Sequence, residues 1–309
     1  MPEKVREQGK GKPQALPKRT YIYKVVDGCE IGADVYPAGG HEPAPTLVWI
    51  HGGALIGGHR ENIRPEQAEL YHGSGFALIS IDYRLAPETK LPAIVEDIMD
   101  AFCWVRKRGA RLARGDPSRI GVIGHSAGGY LALMAGFRVV PRPKALVSFY
   151  GYGDIASPWY SRPDPFYSQR PVVSREEALR SVGTKPVSND QGSANRFLFY
   201  RYCRQRGLWP REVAGLDPDA EFDAFDPLCP LRNVTRRYPP TMLLHGDADT
   251  DVPYQRSLEM ADALRRAGVE HELIVMPGRG HGFDGVGLRD PDVAGAFDRV
   301  VGFLRRHLT

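Results

Sequence analysis

Arg119-Ile120-Gly121-Val122-Ile123-Gly124-His125-Ser126-Ala127-Gly128-Gly129 is the stretch on which the fold turns. Arg119 to Ile123 is short, rich in β-branched residues and without polar alternation, as a strand buried on both faces is. After Ser126 the character changes, because Ala127 to Phe137 is a run of small and apolar residues suited to a packed helix. A serine between such a strand and such a helix sits on a sharp turn. Gly124 and Gly128, two before and two after it, allow a backbone approach that a β-carbon would obstruct. That turn holds a hydroxyl exposed above the sheet edge, where a weak nucleophile can meet a base.

Outward from this point the pattern repeats. Thr46 to Ile50, Ala77 to Ile81, Ala145 to Tyr150, Thr241 to His245 and Glu272 to Met276 all read as buried strands. Helical stretches are predicted at Val95 to Arg108, Tyr254 to Ala267 and Val293 to His307, which implies a parallel sheet with helices on both faces. Tyr21 to Val26 and Glu30 to Tyr36, joined by Asp27-Gly28, predict an antiparallel hairpin at one edge. Between Tyr150 and Thr241 no strand is predicted. Trp159, Tyr160, Phe166, Tyr167, Phe197, Phe199, Tyr200, Tyr202 and Trp209 crowd that segment and must pack on one another or over a cleft. Two readings stand for it: a helical subdomain with its own small core, or a lid that lines a substrate site.

Three loops that follow strands supply partners for Ser126. His51-Gly52-Gly53-Ala54 follows the Thr46 strand, and the N–H groups of Gly52, Gly53 and Ala127 are candidate donors to an oxygen that becomes negative. His51 itself reads as a structural pin of that loop. His245 to Pro253 offers Asp247, Asp249 and Asp251 for a single task, fixing the tautomer of an imidazole through one of its nitrogens. Spacing leaves Asp249 and Asp251 both open. His281, flanked by Gly280 and Gly282, lies on a loop tip, whereas His271 and His307 fall in a strand and a final helical turn. The order serine, acid, histidine is the one this architecture uses.

Composition narrows the classes. A chain of 309 residues with 42% hydrophobic content can bury one large core. A net charge of +4 from 41 basic and 37 acidic residues is too balanced for a nucleic-acid footprint. Cys29, Cys103, Cys203 and Cys229 form no CxxC pair, so we expect buried thiols in a reducing compartment, with neither zinc nor disulfides. Met1 to Thr20 carries six basic residues and no apolar run, which predicts a solvated arm rather than a secretory signal. No run of about 18 apolar residues exists to cross a membrane. A cytoplasmic protein is expected, and the chemistry calls for no metal or organic cofactor.

Taken together, HGGA at His51 to Ala54, DYRLAPE at Asp82 to Glu88, GHSAGG at Gly124 to Gly129 and the two late loops resemble the hormone-sensitive-lipase-like carboxylesterases, of acetyl esterase/lipase type, over residues 20 to 307. The resemblance implies an α/β-hydrolase fold with a mostly parallel sheet of about eight strands and flanking helices. It implies a catalytic domain at residues 21–150 and 237–309, and a cap insertion at 151–236 that the arm of residues 1–20 joins. It also implies a triad of Ser126, Asp249 and His281, since Asp249 matches the acid of the related HGxxDxxVP pattern, and a bracing role for Arg84 and Glu88 at the glycine loop. This chain departs from the family in having Ala54 for the third glycine, His125 for the usual aspartate before the serine, and a Val252-Pro253 ending to the acid loop. Esters with a short acyl chain are the substrates implied, with apolar or aryl groups favoured by the aromatic segment. Amide hydrolysis of formamidase or peptidase type is the alternative, and a non-catalytic ligand receptor is the reading from another class. Family members often pair as homodimers, although nothing in this sequence forces pairing.

Overall fold

The structure, a computed structural model, describes residues 16–193 and 195–308, so most of the predicted arm, residues 1–15, lies outside the described residues. Strands β1 (Arg19–Val26) and β2 (Cys29–Tyr36) form the expected hairpin around Asp27-Gly28. β1 starts two residues earlier than predicted because the end of the arm is tied down. Lys18 Nζ bonds Asp34 at 2.5 Å, and Thr20 Oγ1 donates to the same buried carboxylate at 2.7 Å.

Then follow β3 (Ala44–Ile50), α1 (Pro65–Gly73), β4 (Ala77–Ile81), α2 (Leu91–Trp104), β5 (Gly115–His125), α3 (Ala127–Arg138) and β6 (Ala145–Phe149). After a long strandless segment containing α4 (Phe197–Arg206) and α5 (Trp209–Ala214) come β7 (Thr241–Gly246), α6 (Gln255–Arg266), β8 (His271–Met276) and α7 (Pro291–Leu308). The eight strands make one sheet in the order β1-β2-β4-β3-β5-β6-β7-β8. β4 through β8 run parallel and only the hairpin edge is antiparallel.

Alternate residues of each strand feed two cores, one on each face, as the two-residue period requires. In β3, Val48 and Ile50 join the core shared with α2 and α3, while Leu47 and Trp49 join the one shared with α1 and α7. α3 is buried at every residue from Ala127 to Gly136, which its small side chains permit and which makes it a rigid support for the turn before it. α1 escaped the sequence reading because PEQAELYHG carries no apolar stripe, and its buried face includes the polar Gln67. α2 runs on through a widened turn, Val105–Gly109, to Leu112.

The aromatic segment does not build a separate core. The Tyr160 ring stacks between Trp159 and Trp209, with centroids 3.9 Å away on each side. Tyr160, Phe199 and Trp209 belong to the same cluster as the α2 and α3 face. The cysteine expectation needs one correction: Cys29, Cys203 and Cys229 are buried free thiols, but Cys103 is exposed, since it falls on the side of α2 turned away from the sheet.

Candidate active site

Ser126 follows the last residue of β5 with φ 55° and ψ −119°, a region that side chains other than glycine avoid. Such a conformation costs about 1–3 kcal/mol and persists only where the surroundings over-determine it. They do so here. Ser126 N donates to Phe149 O at 2.8 Å, and its own carbonyl accepts from Tyr130 N at 3.0 Å. A β-carbon at position 124 would lie 1.9 Å from Gly128 O, and one at position 128 would lie 2.1 Å from Ile50 O. Both glycines are therefore demanded by the close passage of helix and strand.

The loops after β7 and β8 meet at this serine. His281 Nε2 lies 2.9 Å from Ser126 Oγ, and His281 Nδ1 lies 2.8 Å from Asp249 Oδ2. Because a carboxylate only accepts, Nδ1 carries the proton and the Nε2 lone pair faces the hydroxyl. The Asp249 side chain is fully buried. Its Oδ1 accepts from the N–H groups of Asp251 and Val252 at 2.8 and 2.9 Å, and its Oδ2 also accepts from His245 Nε2 at 3.1 Å. Burial alone would raise its pKa, but the hydrogen bonds from His245 and His281 outweigh that and hold the carboxyl well below its usual range. Burying this charge costs several kcal/mol. Four charge-assisted bonds at about 1.5–3 kcal/mol each offset it. For His281, burial works to lower the pKa, and the bond to Asp249 with the charges of Asp251 and Asp249 more than reverses it, so the imidazole sits above its ordinary value.

The three candidate aspartates are thus separated. Asp247 Oδ1 accepts from Gly278 N at 2.6 Å and shapes the turn. Asp251 faces the other side of the imidazole, with Oδ2 3.6 Å from His281 Nε2. Its Oδ1 is gripped by Tyr200 OH at 2.6 Å, Tyr167 OH at 3.0 Å and Arg204 Nη1 at 3.0 Å, all from the strandless segment.

The glycine loop packs against the serine. A β-carbon at position 52 would come 3.3 Å from Ser126 Cβ. Gly53 has φ 108°, and a β-carbon there would meet Gly57 O at 2.2 Å. Ala54, which stands for the family's third glycine, has φ 56° and Leu55 φ 62°, so the loop holds two non-glycine residues in the left-handed region. Bonds to its carbonyls hold it there, with Trp209 Nε1 donating to Ala54 O at 3.0 Å and Ala86 N to Leu55 O at 2.7 Å. Ala127 is the first residue of α3, so its N–H has no intrahelical acceptor. His51 pins the loop from beneath. Its ring stacks on Tyr83 at 4.1 Å and its Nδ1 donates to Gly52 O at 2.7 Å, while burial lowers its pKa to about 4.

The expectation for Arg84 is corrected. It pairs with Asp97 of α2 at 2.7 Å, a buried carboxylate that its side chain meets before it can reach the glycine loop. Glu88 does reach that loop, but through Arg196, which bonds both Glu88 oxygens and the carbonyl of Ile56. Sequence reading missed Arg196, Arg204 and His245. Only His245, which opens the acid-loop string, carried a usable signal.

Next to the triad, bordered by the chain neighbours of Ser126 and His281 rather than by those two residues themselves, lies a cavity of about 350 Å³ lined in part by Gly52, Gly53, His125, Tyr150 and Gly282. Of the nine aromatics singled out in the strandless segment, only Phe197 lines it, because the others are spent on packing or on gripping Asp251. Among the described residues no cluster of histidine, cysteine or carboxylate groups is arranged to hold a metal ion, and no helix is long and apolar enough to cross a membrane.

A family model described as alpha/beta hydrolase fold matches residues 47–200, the span that carries the glycine loop and Ser126. The chain belongs to the α/β-hydrolase superfamily. A model of the prolyl oligopeptidase family matches residues 201–309, the part of this hydrolase-fold chain with Asp249 and His281. The non-reducing polyketide synthase pkbA of Emericella nidulans is 30% identical over 322 residues, covering 85% of this chain and 13% of that protein. The chain spans about 13–15% of the length of the curated relatives it matches. An alpha/beta hydrolase superfamily protein from Enterococcus faecalis superposes with a TM-score of 0.75 at 24% identity, over 94% of this chain and 100% of that one. EstE1, a thermostable carboxylesterase cloned from a metagenomic library, gives 0.71 at 22% identity, over 96% and 91%. At these identities the likeness to the solved structures is one of fold.

Proposed function

We propose that this chain is a serine carboxylesterase acting on small, short-chain esters through an acyl-enzyme, with Ser126, His281 and Asp249 as its triad. The observation that carries the reading is the relay of 2.9 and 2.8 Å bonds in which the tautomer of His281 is set by an acceptor-only partner. In this reading His281 Nε2 takes the hydroxyl proton as Ser126 Oγ adds to the carbonyl carbon. The oxygen that becomes negative is met by the N–H groups of Gly52, Gly53 and Ala127, each such donor being worth about 2.7–4 kcal/mol. His281 then gives its proton to the departing alcohol and removes one from the water that frees the acid. The segment 151–236 serves as a cap, since Tyr167, Tyr200 and Arg204 hold the acid loop from above. A cavity of about 350 Å³ lies at the small end of ligand sites and suits a short chain.

Amide hydrolysis is the second reading, favoured by the prolyl oligopeptidase match over residues 201–309 and by the Val252-Pro253 ending of the acid loop. The receptor reading is disfavoured by a serine and a histidine in direct hydrogen-bond contact. Initial rates on p-nitrophenyl acetate and butyrate, a short-chain acyl thioester, aryl formamides and dipeptide anilides separate these. The thioester belongs in the panel because the curated relatives are polyketide synthases. Faster turnover of amides than of esters would displace the esterase reading.

A further inference from the structure

The cavity beside Ser126 has a mixed wall, with His125, Gln67, Asp190 and Asp284 set among aromatic rings, where the aryl-ester expectation would have it apolar throughout. Its wall includes His125, the residue that stands where the resembled family carries an aspartate. Its ring lies against Phe149 at 4.4 Å and near Trp49 at 5.6 Å and Tyr150 at 5.8 Å, and the residue is only 7% exposed. His125 Nε2 is buried without a hydrogen-bond partner. The nearest carboxylate oxygen, Asp284 Oδ2, is 3.8 Å away, beyond hydrogen-bond reach, and that oxygen already accepts from Gln67 Nε2 at 2.6 Å. Asp284 Oδ1 is taken by Tyr150 OH. An orphaned buried ring nitrogen on a cavity wall is destabilising until something bonds it. Burial also lowers the His125 pKa, so at neutral pH the ring is uncharged.

The charges around the cavity limit what that partner is. Arg64, Asp190 and Asp284 line it, one positive and two negative groups, with Arg64 Nε 4.0 Å from Asp284 Oδ2. Asp190 is held by Gly58 N at 2.7 Å. The sum is one negative charge, which disfavours a carboxylate or phosphate. A hydroxyl fits, because it can donate to or accept from Nε2 whichever tautomer the ring adopts. We propose that this cavity recognises an uncharged, hydroxyl-bearing part of the substrate, so that the preferred esters are those of small hydroxy acids or polyols rather than of alkyl or aryl groups. This deepens the esterase reading above and rests on it.

The test uses pairs in which a hydroxyl replaces a methyl at constant size. p-Nitrophenyl 3-hydroxypropanoate against p-nitrophenyl butyrate probes the acid half, and 2-hydroxyethyl acetate against propyl acetate, followed by pH-stat, probes the alcohol half. Wild-type kcat/KM is expected to favour the hydroxylated member of at least one pair by about tenfold or more. His125→Phe keeps a ring of similar shape among Phe149, Trp49 and Tyr150, and is expected to bring that ratio to within about threefold of unity whatever its absolute rate. A wild-type ratio near unity in both pairs, with butyrate and propyl acetate turned over, overturns the subsite and leaves the esterase reading standing. A ratio that survives His125→Phe also overturns it. Hydrolysis of no member of either pair overturns both. If His125→Phe does not fold, the wild-type ratio alone decides.

Discussion

Replacing Asp249 by asparagine changes one atom and, on this geometry, reverses the polarity of the whole relay. Asp249 Oδ1 accepts two backbone N–H groups, from Asp251 and Val252, so an amide at this position keeps its oxygen there and turns its NH₂ toward the side now occupied by Oδ2. That side faces His281 Nδ1 at 2.8 Å and His245 Nε2 at 3.1 Å, both of which now donate. Donor would meet donor. The relief open to His281 is to move its proton to Nε2, which then presents N–H to the Ser126 hydroxyl and cannot take its proton. A wrong tautomer of this kind costs about 10⁴ in kcat. At about 1.36 kcal/mol per tenfold, that is about 5.4 kcal/mol of barrier. Steady-state rates on p-nitrophenyl acetate measure it, with urea unfolding as the control that the chain still folds cooperatively. Asp249→Asn retaining more than about a tenth of wild-type kcat would refute the tautomer argument. If Asp251→Asn instead suffered the large loss, Asp251 would be the acid.

Asp251→Asn should leave the relay intact and remove a negative charge 3.6 Å from His281 Nε2. The base must be unprotonated to act and its pKa is raised above the ordinary 6.5, so the acid limb of kcat/KM lies above that pH in the wild type and moves to lower pH in the variant; a limb that stays put or rises contradicts the role given to this charge. Arg204→Met leaves Asp164 and Asp251 without their buried partner and should cost about 3–5 kcal/mol in urea unfolding, whereas a loss under about 1 kcal/mol would show the wholly buried guanidinium to be dispensable. In native protein, Ellman's reagent should titrate Cys103 rapidly and Cys29, Cys203 and Cys229 only after unfolding; rapid reaction of more than one thiol would contradict the burial described.

The sheet was legible because parallel strands buried on both faces are written as short apolar runs, and each such run became a strand with its ends moved by a few residues. The serine turn was legible for a different reason, since the clashes at positions 124 and 128 admit only glycine and so leave a mark in the string itself. Less could be read where a contact depends on long-range folding. Nothing local to Arg196 says that it will bridge Glu88 to the glycine loop, and nothing local to Arg204 says that it will be buried against Asp251. Arg84 misled for the same reason, as its partner Asp97 lies on a helix whose face is fixed only by packing. Aromatic density in the strandless segment suggested a greasy site, yet those rings are consumed in packing against each other and against the main core. Polar lining of the cavity comes from Asn62, Arg64, Gln67, His125, Asp190 and Asp284, which lie in four separate stretches of the chain, and no short string announces it.

The claim on which all of this rests is that Ser126 is a nucleophile activated by His281. Incubating the folded protein with a fluorophosphonate and mapping the adduct by mass spectrometry tests it most directly. The account predicts one adduct per chain, on the peptide containing Ser126, abolished by prior unfolding and strongly slowed in His281→Ala. Absence of labelling, an adduct on another residue, or labelling of Ser126 at an undiminished rate without His281 would contradict it.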